Sequence, residues 1–203
     1  MKTQLQHFSQ YDEDIFLSNA FNLNFQGTFL DIGAADGIEN SNTYALEKIG
    51  WNGLCIEPDP RHIQTLAHNR KNILNAAIRA YEGFTKFHLS PNPTWSSVNN
   101  KQPSDVTITI LCTTVNDILR SILPRHVNIL SVDTEGLELE ILQSVDWSKH
   151  RPDIVIAEYD TVFRPSAKQP LTDLMLSLNY STIHTTQGNL IFRSSDCMLQ
   201  STL

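Results

Sequence analysis

The sequence has few cysteines, no concentration of basic residues and no long apolar run. Its three cysteines, Cys55, Cys112 and Cys197, are odd in number and widely spaced, so we expect reduced thiols and no disulfide framework or zinc site. The formal net charge is −7, and no basic stretch could follow a phosphate backbone, which disfavours nucleic acid as a partner. No apolar run approaches the about 18 residues that span a bilayer. The polar stretch 1–14 does not resemble a signal peptide, so we expect a cytoplasmic protein that makes no membrane contact.

The sequence also lacks the motifs of common nucleotide and zinc sites. It has no glycine-rich turn followed by Gly-Lys-Ser/Thr and no three-glycine dinucleotide pattern. Its seven histidines form neither HxH nor HExxH. Any functional site must therefore be built from other residues.

Short apolar runs alternate with helical patterns along the chain. Such strand–helix–strand units predict a parallel sheet with right-handed crossovers, and a final pair of runs predicts an antiparallel hairpin. The predicted strands are 27–33, 53–57, 71–78, 85–89, 105–114, 127–132, 153–157, 180–185 and 189–193. The predicted helices are 40–49, 59–70, 115–123, 137–145 and 171–178.

The length and the loops bound the domain organisation. A chain of 203 residues is long enough for one domain and short for two, so we predict a single α/β domain over 1–203. The stretch 90–103 holds three prolines and several Ser and Asn residues, which predicts a loop. Loops of this length in a compact domain are more often functional or mobile than neutral.

Four acidic residues fall at the ends of predicted parallel strands: Asp31, Glu57, Asp133 and Glu158. In an open parallel sheet the strands end along one edge, and ligands bind there, where the strand order reverses. We therefore expect these carboxylates to converge around one cleft.

The turn after the first strand reads Asp-Ile-Gly-Ala-Ala-Asp-Gly over 31–37. Gly33 and Gly37 allow a tight turn and a close approach of the backbone to a ligand. The acids Asp31 and Asp36 would repel a pyrophosphate, whereas they suit a ligand that carries an ammonium and a sulfonium. The alternative interpretation is a tight strand-to-helix turn with capping acids.

The other strand ends offer further acidic groups. Glu57 can accept hydrogen bonds from both hydroxyls of a ribose, or it can be a solvated strand-end acid. Asp133 and Glu135 flank a turn relieved by Gly136; they can share a proton, hold a hard cation such as Mg²⁺, or face the dipole of the next helix. Glu158 can reach the same cleft, whereas Glu138 and Glu140 are expected on the exposed face of that helix.

Taken together, these stretches resemble the FkbM family of methyltransferases. The resemblance runs in family order through nearly the whole chain, in residues 9–14, 29–37, 41–44, 55–58, 130–138, 153–158 and 189–192. It departs from the family at Ala35, where the family usually has Asn in its Gly-Ala-Asn turn. The resemblance implies a Rossmann-like three-layer α/β/α fold with a seven-stranded, mostly parallel sheet and a C-terminal antiparallel hairpin.

The resemblance also implies a cofactor, S-adenosylmethionine, and the residues that bind it. Five groups of residues would surround the parts of the cofactor. Asp31, Gly33, Ala34, Asp36 and Gly37 would line the methionine part, with Ser41, Asn42 and Thr43 near its carboxylate; Glu57, followed by Pro58, would hold the ribose; Ala76 and Ala77 would lie beside the adenine; Gln10 and Tyr11, in a cap segment 1–26, would cover the pocket.

The expected reaction is methyl transfer to a hydroxyl of a sugar or another natural product. Asp133, Glu135 and Glu158 would remove the hydroxyl proton, either as a general base or by holding Mg²⁺. The acceptor would contact the loop 90–104, where Trp95 can stack on a sugar or serve as a buried anchor, and the stretch 159–169. The alternatives are a nucleoside-binding module without turnover and an NAD-dependent oxidoreductase, the latter disfavoured by the absent three-glycine pattern. The sequence does not indicate an oligomeric state.

Overall fold

The computed structural model of the protein describes residues 6–21, 25–99, 106–123, 126–159 and 166–197. The helices in these ranges are α1 (Glu13–Ala20), α2 (Tyr44–Lys48), α3 (Ile63–Asn69), α4 (Val115–Ser121), α5 (Glu138–Ser144) and α6 (Lys168–Ser177). The strands are β1 (Thr28–Ile32), β2 (Asn52–Ile56), β3 (Ile73–Leu74), β4 (Ala77–Ile78), β5 (Gly83–Leu89), β6 (Val106–Thr113), β7 (Ile129–Val132), β8 (Ile154–Glu158), β9 (Tyr180–Thr185) and β10 (Asn189–Ser194).

Seven strands form one sheet in the order β3-β2-β1-β7-β8-β10-β9. Strands β3, β2, β1, β7 and β8 are parallel to one another. Strand β10 pairs antiparallel with both β8 and β9. The chain moves outward from β1 to β3 and then returns to β7 on the other side of β1. The strand order therefore reverses between β1 and β7, which is where ligands bind in sheets of this kind. The predicted fold is confirmed.

Helices cover both faces of the large sheet. Because side chains alternate along a strand, Leu30 and Ile32 pack on one face with α4, α5 and α6, while Phe29 packs on the other face with α1, α2 and α3. Strands β1, β7 and β8 are therefore buried on both faces, which explains why most of their residues are apolar instead of alternating with polar ones. Within the described ranges, no helix is long and apolar enough to cross a membrane.

The predicted strand 71–78 is divided between two sheets. Residues Ile73–Leu74 pair with β2, whereas Ala77–Ile78 pair with β6 in a second, three-stranded sheet of order β4-β6-β5. The side-chain amide of Asn75 donates to the carbonyl of Glu57 at 2.8 Å, which holds the chain at the bend between the two strands. The prediction of one continuous strand was wrong because this side-chain contact competes with the ladder.

Three helices begin three or four residues from their predicted starts, and α3 is one of them, since it begins at Ile63 instead of residue 59. Helix α2 begins at Tyr44 instead of residue 40, because the hydroxyl of Ser41 accepts from the backbone N–H groups of Thr43 and Tyr44 and forms a turn there. Helix α6 begins at Lys168 instead of residue 171. Pro170 lies in its first turn, where the missing N–H has no partner to lose.

Candidate functional site

A cavity of about 260 Å³ lies at the carboxyl ends of β1, β2, β7 and β8. This is the position at which the strand order reverses. All but three of the predicted site residues lie in its wall. These are Gln10, Tyr11, Asp31, Gly33, Ala34, Ser41, Asn42, Glu57, Pro58, Ala76, Ala77, Asp133, Glu135 and Glu158.

The three predicted residues outside the wall, Asp36, Gly37 and Thr43, support the loop that forms it. The carboxylate of Asp36 accepts from the backbone N–H groups of residues 38 and 39 at 2.8 and 2.9 Å. Gly37 has a φ of 85° and leaves no room for a Cβ beside Arg70. The hydroxyl of Thr43 donates to Asp31 Oδ2 at 2.5 Å. They lie behind the wall, and their contact with the cofactor stays a prediction.

The turn after β1 passes directly over the end of β7. Gly33 has a φ of 86°, and a Cβ at this position would lie 1.6 Å from the backbone oxygen of Asp133. The next residue but one, Ala35, also has a positive φ, 45°, although it is not glycine. Its backbone N–H donates to Glu57 Oε2 at 2.8 Å, so the turn is fastened to the neighbouring strand end.

Asp31 presents a buried carboxylate to this turn. Its residue is 6% exposed, and burial raises the pKa of its carboxyl, whereas the nearby cation of Arg70 and the hydroxyl of Thr43 act to lower that pKa. The guanidinium of Arg70 lies 3.7 Å from Asp31 Oδ2. An ionised Asp31 therefore depends on these two partners.

Arg70 supports the loop that forms the cavity wall, and the sequence analysis did not identify it. Its side chain is fully buried; Nε donates to Glu47 at 2.6 Å, and the two terminal nitrogens donate to the carbonyl of Gly37 at 3.0 Å and the hydroxyl of Thr43 at 2.7 Å. It therefore holds the whole loop 37–47 against β1. A single arginine at the end of a short helix is ordinarily a surface residue, so no local pattern in the sequence could have identified it.

Glu57 is held in place by backbone donors. Its Oε1 accepts from the N–H of Asp59 at 2.7 Å and its Oε2 from the N–H of Ala35. Burial outweighs these bonds and raises the pKa of Glu57 to about 7. Each carboxylate oxygen has a second lone pair, so Glu57 can also accept from a pair of ligand hydroxyls.

Acidic side chains also meet at the ends of β7 and β8. One carboxylate oxygen from each of Asp133, Glu138 and Glu158 lies within 4.8 Å of the others. Desolvation, followed by the negative charges of Glu135 and Glu138, raises the pKa of Asp133 well above its ordinary value. The ionised carboxylate of Asp133 is therefore a stronger base than an ordinary carboxylate. The set that could hold a cation includes Glu138, which the sequence analysis had placed elsewhere.

The expectation that Glu138 lies on an exposed helix face was wrong. Glu138 is 2% exposed, and its Oε1 accepts from the N–H and the hydroxyl of Thr134, both at 2.8 Å, and from the N–H of Gly136 at 3.0 Å. The carboxylate thus closes the turn 134–137 that carries Glu135. Glu140 instead pairs with Arg79 at 2.9 Å on the partly exposed side.

The segment before β1 covers one side of the cavity. Gln10 and Tyr11 lie in the wall, and the segment is fixed by two buried acids at the start of α1. Asp14 accepts from the hydroxyl of Ser9 at 2.7 Å. Glu13 accepts from the N–H of Tyr11 and from the side chain of Asn189, both at 2.9 Å. The segment is therefore tied to β10.

The loop after β5 covers another side. Residues 93–96 and Val98 lie in the cavity wall, and the loop is bound to two different strand ends. Arg61 donates to the hydroxyl of Ser96 at 2.8 Å, and the hydroxyl of Ser97 donates to the carbonyl of Glu135 at 3.2 Å. Residues 100–104, the remainder of the predicted acceptor loop, lie outside the described residues, and acceptor contact by this loop stays a prediction.

A second groove adjoins the cavity, with Gln10 and Tyr11 in the walls of both. Tyr159, Lys168 and His184 also line this groove, and the Lys168 ammonium lies 5.1 Å from the centre of the Tyr159 ring. The predicted acceptor stretch 159–169 therefore contributes its described ends to this groove, while residues 160–165 lie outside the described ranges.

The described wall of the cavity is acidic. Six acidic residues lie in its wall, and none of the described wall residues is Lys or Arg. They are Asp31, Glu39, Glu57, Asp133, Glu135 and Glu158. Such a wall favours a cationic ligand and disfavours a pyrophosphate, which argues against the dinucleotide alternative.

Comparisons with known proteins agree with this geometry. The sequence profile of the methyltransferase FkbM domain matches residues 31–182, well over half of the chain. The structure of a methyltransferase FkbM from Methylobacillus flagellatus KT is 17% identical, with a TM-score of 0.60 over 92% of this chain and 48% of that protein. A candidate RNA methyltransferase from Pyrococcus horikoshii is 11% identical, with a TM-score of 0.51 over 90% of this chain and 81% of that protein. At such identities the likeness shows the fold alone, and this chain spans about half the length of the Methylobacillus protein. No curated protein sequence matches the chain.

Proposed function

Because the chain belongs to the FkbM methyltransferase family, we propose that it methylates a hydroxyl oxygen of a small molecule, a sugar or another natural product, with S-adenosylmethionine as methyl donor. The observation that carries this proposal is the cavity at the point of strand reversal, whose described wall contains six acidic residues and neither Lys nor Arg. S-adenosylmethionine carries an ammonium and a sulfonium, so its charges match this wall.

The residues present fit the parts of this cofactor. Asp31 lies where a carboxylate can face the ammonium, and Ser41 and Asn42 offer hydroxyl and amide groups beside it. Glu57 is oriented by backbone donors and can accept from the ribose hydroxyls. When bound, the cofactor supplies a methyl group activated by the positive sulfur.

The chain's own residues would orient the acceptor and take up its proton. Asp133 and Glu158 lie together at the ends of β7 and β8, and the raised pKa of Asp133 suits it to accept a proton from the acceptor hydroxyl. The groove next to Tyr11, with Tyr159 and Lys168 in its wall, is the proposed path of the acceptor to these carboxylates. The alignment of acceptor and methyl group accounts for much of the acceleration.

Asp133 and Glu158 could instead act by holding Mg²⁺, together with Glu135 as the sequence indicated or with Glu138 as the geometry favours. The three bonds that Glu138 accepts from its own turn favour a structural role for that side chain. We therefore propose proton transfer to Asp133 as the main route, with Glu135 near enough to raise the pKa of Asp133.

The affinity for the reaction product, S-adenosylhomocysteine, is expected to depend on pH through Glu57. Ribose hydroxyls donate to the ionised carboxylate, and the pKa of Glu57 in the free protein is about 7. Affinity should therefore be full above pH 8 and fall below pH 7, approaching about tenfold per pH unit. Calorimetric titration between pH 5.5 and 8.5 measures this slope.

The matched variant is Glu57→Gln, which keeps the size of the side chain and removes its titration. At pH 8 we expect its affinity to be weaker by about 10-fold or more, because a charged acceptor is lost, and its pH profile to be flatter than that of the wild type. An unchanged profile in this variant would exclude Glu57 from cofactor binding. Lack of any binding by the folded wild type would overturn the proposed function.

Asp133→Asn is expected to reduce methyl transfer by about 100-fold or more, because the amide cannot accept the hydroxyl proton. The assay follows S-adenosylhomocysteine formation in the presence of mixed hydroxyl acceptors. Binding of S-adenosylhomocysteine should change by less than about 3-fold, since other residues hold the cofactor. Full activity of a folded Asp133→Asn protein would exclude this residue from the chemistry.

Chelation with EDTA distinguishes the general-base route from the route in which the carboxylates hold Mg²⁺. With Asp133 as general base, wild-type activity should survive EDTA. Loss of activity on chelation and its return with Mg²⁺ would instead support the metal route.

A nucleoside-binding module without turnover is the second candidate. It is favoured by Ala35, whose φ of 45° is unfavourable for a residue with a Cβ and whose side chain offers no hydrogen bond to a ligand. Tight binding of S-adenosylhomocysteine combined with no product from any acceptor would support this candidate over the enzyme.

A further inference from the structure

The wall of the cavity also contains Pro58, His62, Ala76 and Trp95. The strands end side by side in the order β7, β1, β2, β3. A cofactor with its methionine part at Asp31 and its ribose at Glu57 therefore directs its base toward the residues that follow β3. The loop after β5 lies on the same side.

The walls of this part are suited to a flat aromatic ring. Ala76, Ala77 and Phe87 are buried apolar residues in the cavity wall. Trp95 lies in the wall of the same cavity, on a one-turn helix in the loop after β5, and is 40% exposed. An indole that borders a cavity offers a face on which a base can stack.

His62 adds a polar group to this apolar part of the wall. Its Nε2 atom is buried and has no hydrogen-bond partner among the described residues. A buried polar atom without a partner is unfavourable, and such groups in folded proteins are mostly paired. An adenine edge carries both donors and acceptors, so it can pair with the imidazole in either tautomer.

The loop that carries Trp95 is fixed by side-chain hydrogen bonds. Arg61 binds the carboxylate of Asp59 at 2.7 Å and the hydroxyl of Ser96 at 2.8 Å. The side-chain amide of Asn99 donates to the carbonyl of Gly136 at 3.1 Å. These bonds connect the loop to the turns after β2 and β7, so the indole needs little further ordering on binding.

We propose that Trp95 and His62 bind the purine base of the cofactor, with the indole covering its face and His62 Nε2 bonded to a polar atom on its edge. This assigns Trp95 to the cofactor and not to the acceptor sugar. The inference rests on the proposed function, since it needs an S-adenosyl ligand in the cavity.

Tryptophan fluorescence tests the first contact. Trp51 and Trp147 are buried, so Trp95 is the exposed indole of the three. Stacking should quench its emission when S-adenosylhomocysteine or adenosine is added, and homocysteine should have no effect. The quenching should disappear in Trp95→Phe, while calorimetry still detects binding. Trp95→Ala should weaken both ligands about 10-fold.

Nitrogen NMR of the imidazole tests the second contact. The Nε2 signal of His62 should shift on addition of adenosine or S-adenosylhomocysteine and not on addition of homocysteine. His62→Phe should weaken both adenosine ligands by about 3- to 10-fold, the effect of one neutral hydrogen bond, and His62→Gln should recover part of the loss. His68→Phe, at an exposed position of α3, the helix that follows His62, is the control and should bind as the wild type does.

The outcomes distinguish this inference from the proposed function. Binding of S-adenosylhomocysteine without quenching of Trp95 and without a shift at His62 overturns the inference and leaves the methyltransferase proposal intact. Failure of the wild type to bind either adenosine ligand overturns both.

Discussion

Gly33→Ala is expected to weaken S-adenosylhomocysteine binding by about 100-fold or more and to lower the free energy of unfolding by about 3 kcal/mol or more. The added Cβ would lie 1.6 Å from the carbonyl oxygen of Asp133. The turn must therefore move away from β7, and the backbone must also leave a φ of 86° that disfavours alanine. Calorimetry and urea denaturation measure the two effects.

Gly83→Ala separates conformational strain from the clash. Gly83 also has a positive φ, 130°, but no atom lies within 4 Å of the position of its Cβ. We expect it to destabilise the protein by about 1 kcal/mol and to leave binding unchanged. If Gly33→Ala had effects as small as those of Gly83→Ala, the result would contradict the close contact between the turn after β1 and the end of β7.

Arg70→Met is expected to lower the free energy of unfolding by about 3–5 kcal/mol, the effect of removing one partner of a buried ion pair. The substitution leaves Glu47 and Asp31 buried beside an apolar side chain and removes the bonds to Gly37 and Thr43. Urea denaturation at pH 7 measures the change. Because the loop 37–43 borders the cavity, ligand affinity should fall with stability.

The pH dependence of the loss in unfolding free energy shows how much of it comes from the charge of Arg70. Without Arg70, the pKa of Asp31 rises further above its unfolded value, so the folded variant binds more protons than the unfolded chain. The deficit should therefore grow as the pH rises from 5 to 8. Arg120→Met removes an exposed pair with Asp117 and should change stability by less than about 1 kcal/mol. A deficit in Arg70→Met as small as this control would contradict the structure.

The alternation of apolar runs and helical patterns predicted the fold because β1, β7 and β8 are buried on both faces and most of their residues are apolar. The convergence of the strand-end acids followed from topology alone, since parallel strands end on one edge. Asp31, Glu57, Asp133 and Glu158 could therefore be placed around one cavity without coordinates.

Positions that are determined by side-chain hydrogen bonds could not be predicted in this way. Arg70 reaches back to Gly37, Thr43 and Glu47, and nothing near it in sequence marks it as buried. Glu138 has the spacing of a surface residue on α5 but turns toward its own preceding loop. In both cases side-chain hydrogen bonds, which leave no periodic pattern, determine the position.

The link between Glu13 and the hairpin of β9 and β10 makes one side of the cavity depend on a late part of the chain. The carboxylate that positions Tyr11 accepts from Thr186 and Asn189, both at 2.9 Å, so this side of the cavity forms only after β10 has joined the sheet. On the ribosome, the nascent chain would have to emerge beyond residue 189 before the cap could close. A ligand that needs the closed cap would then stabilise the chain by mass action only after β10 has joined the sheet.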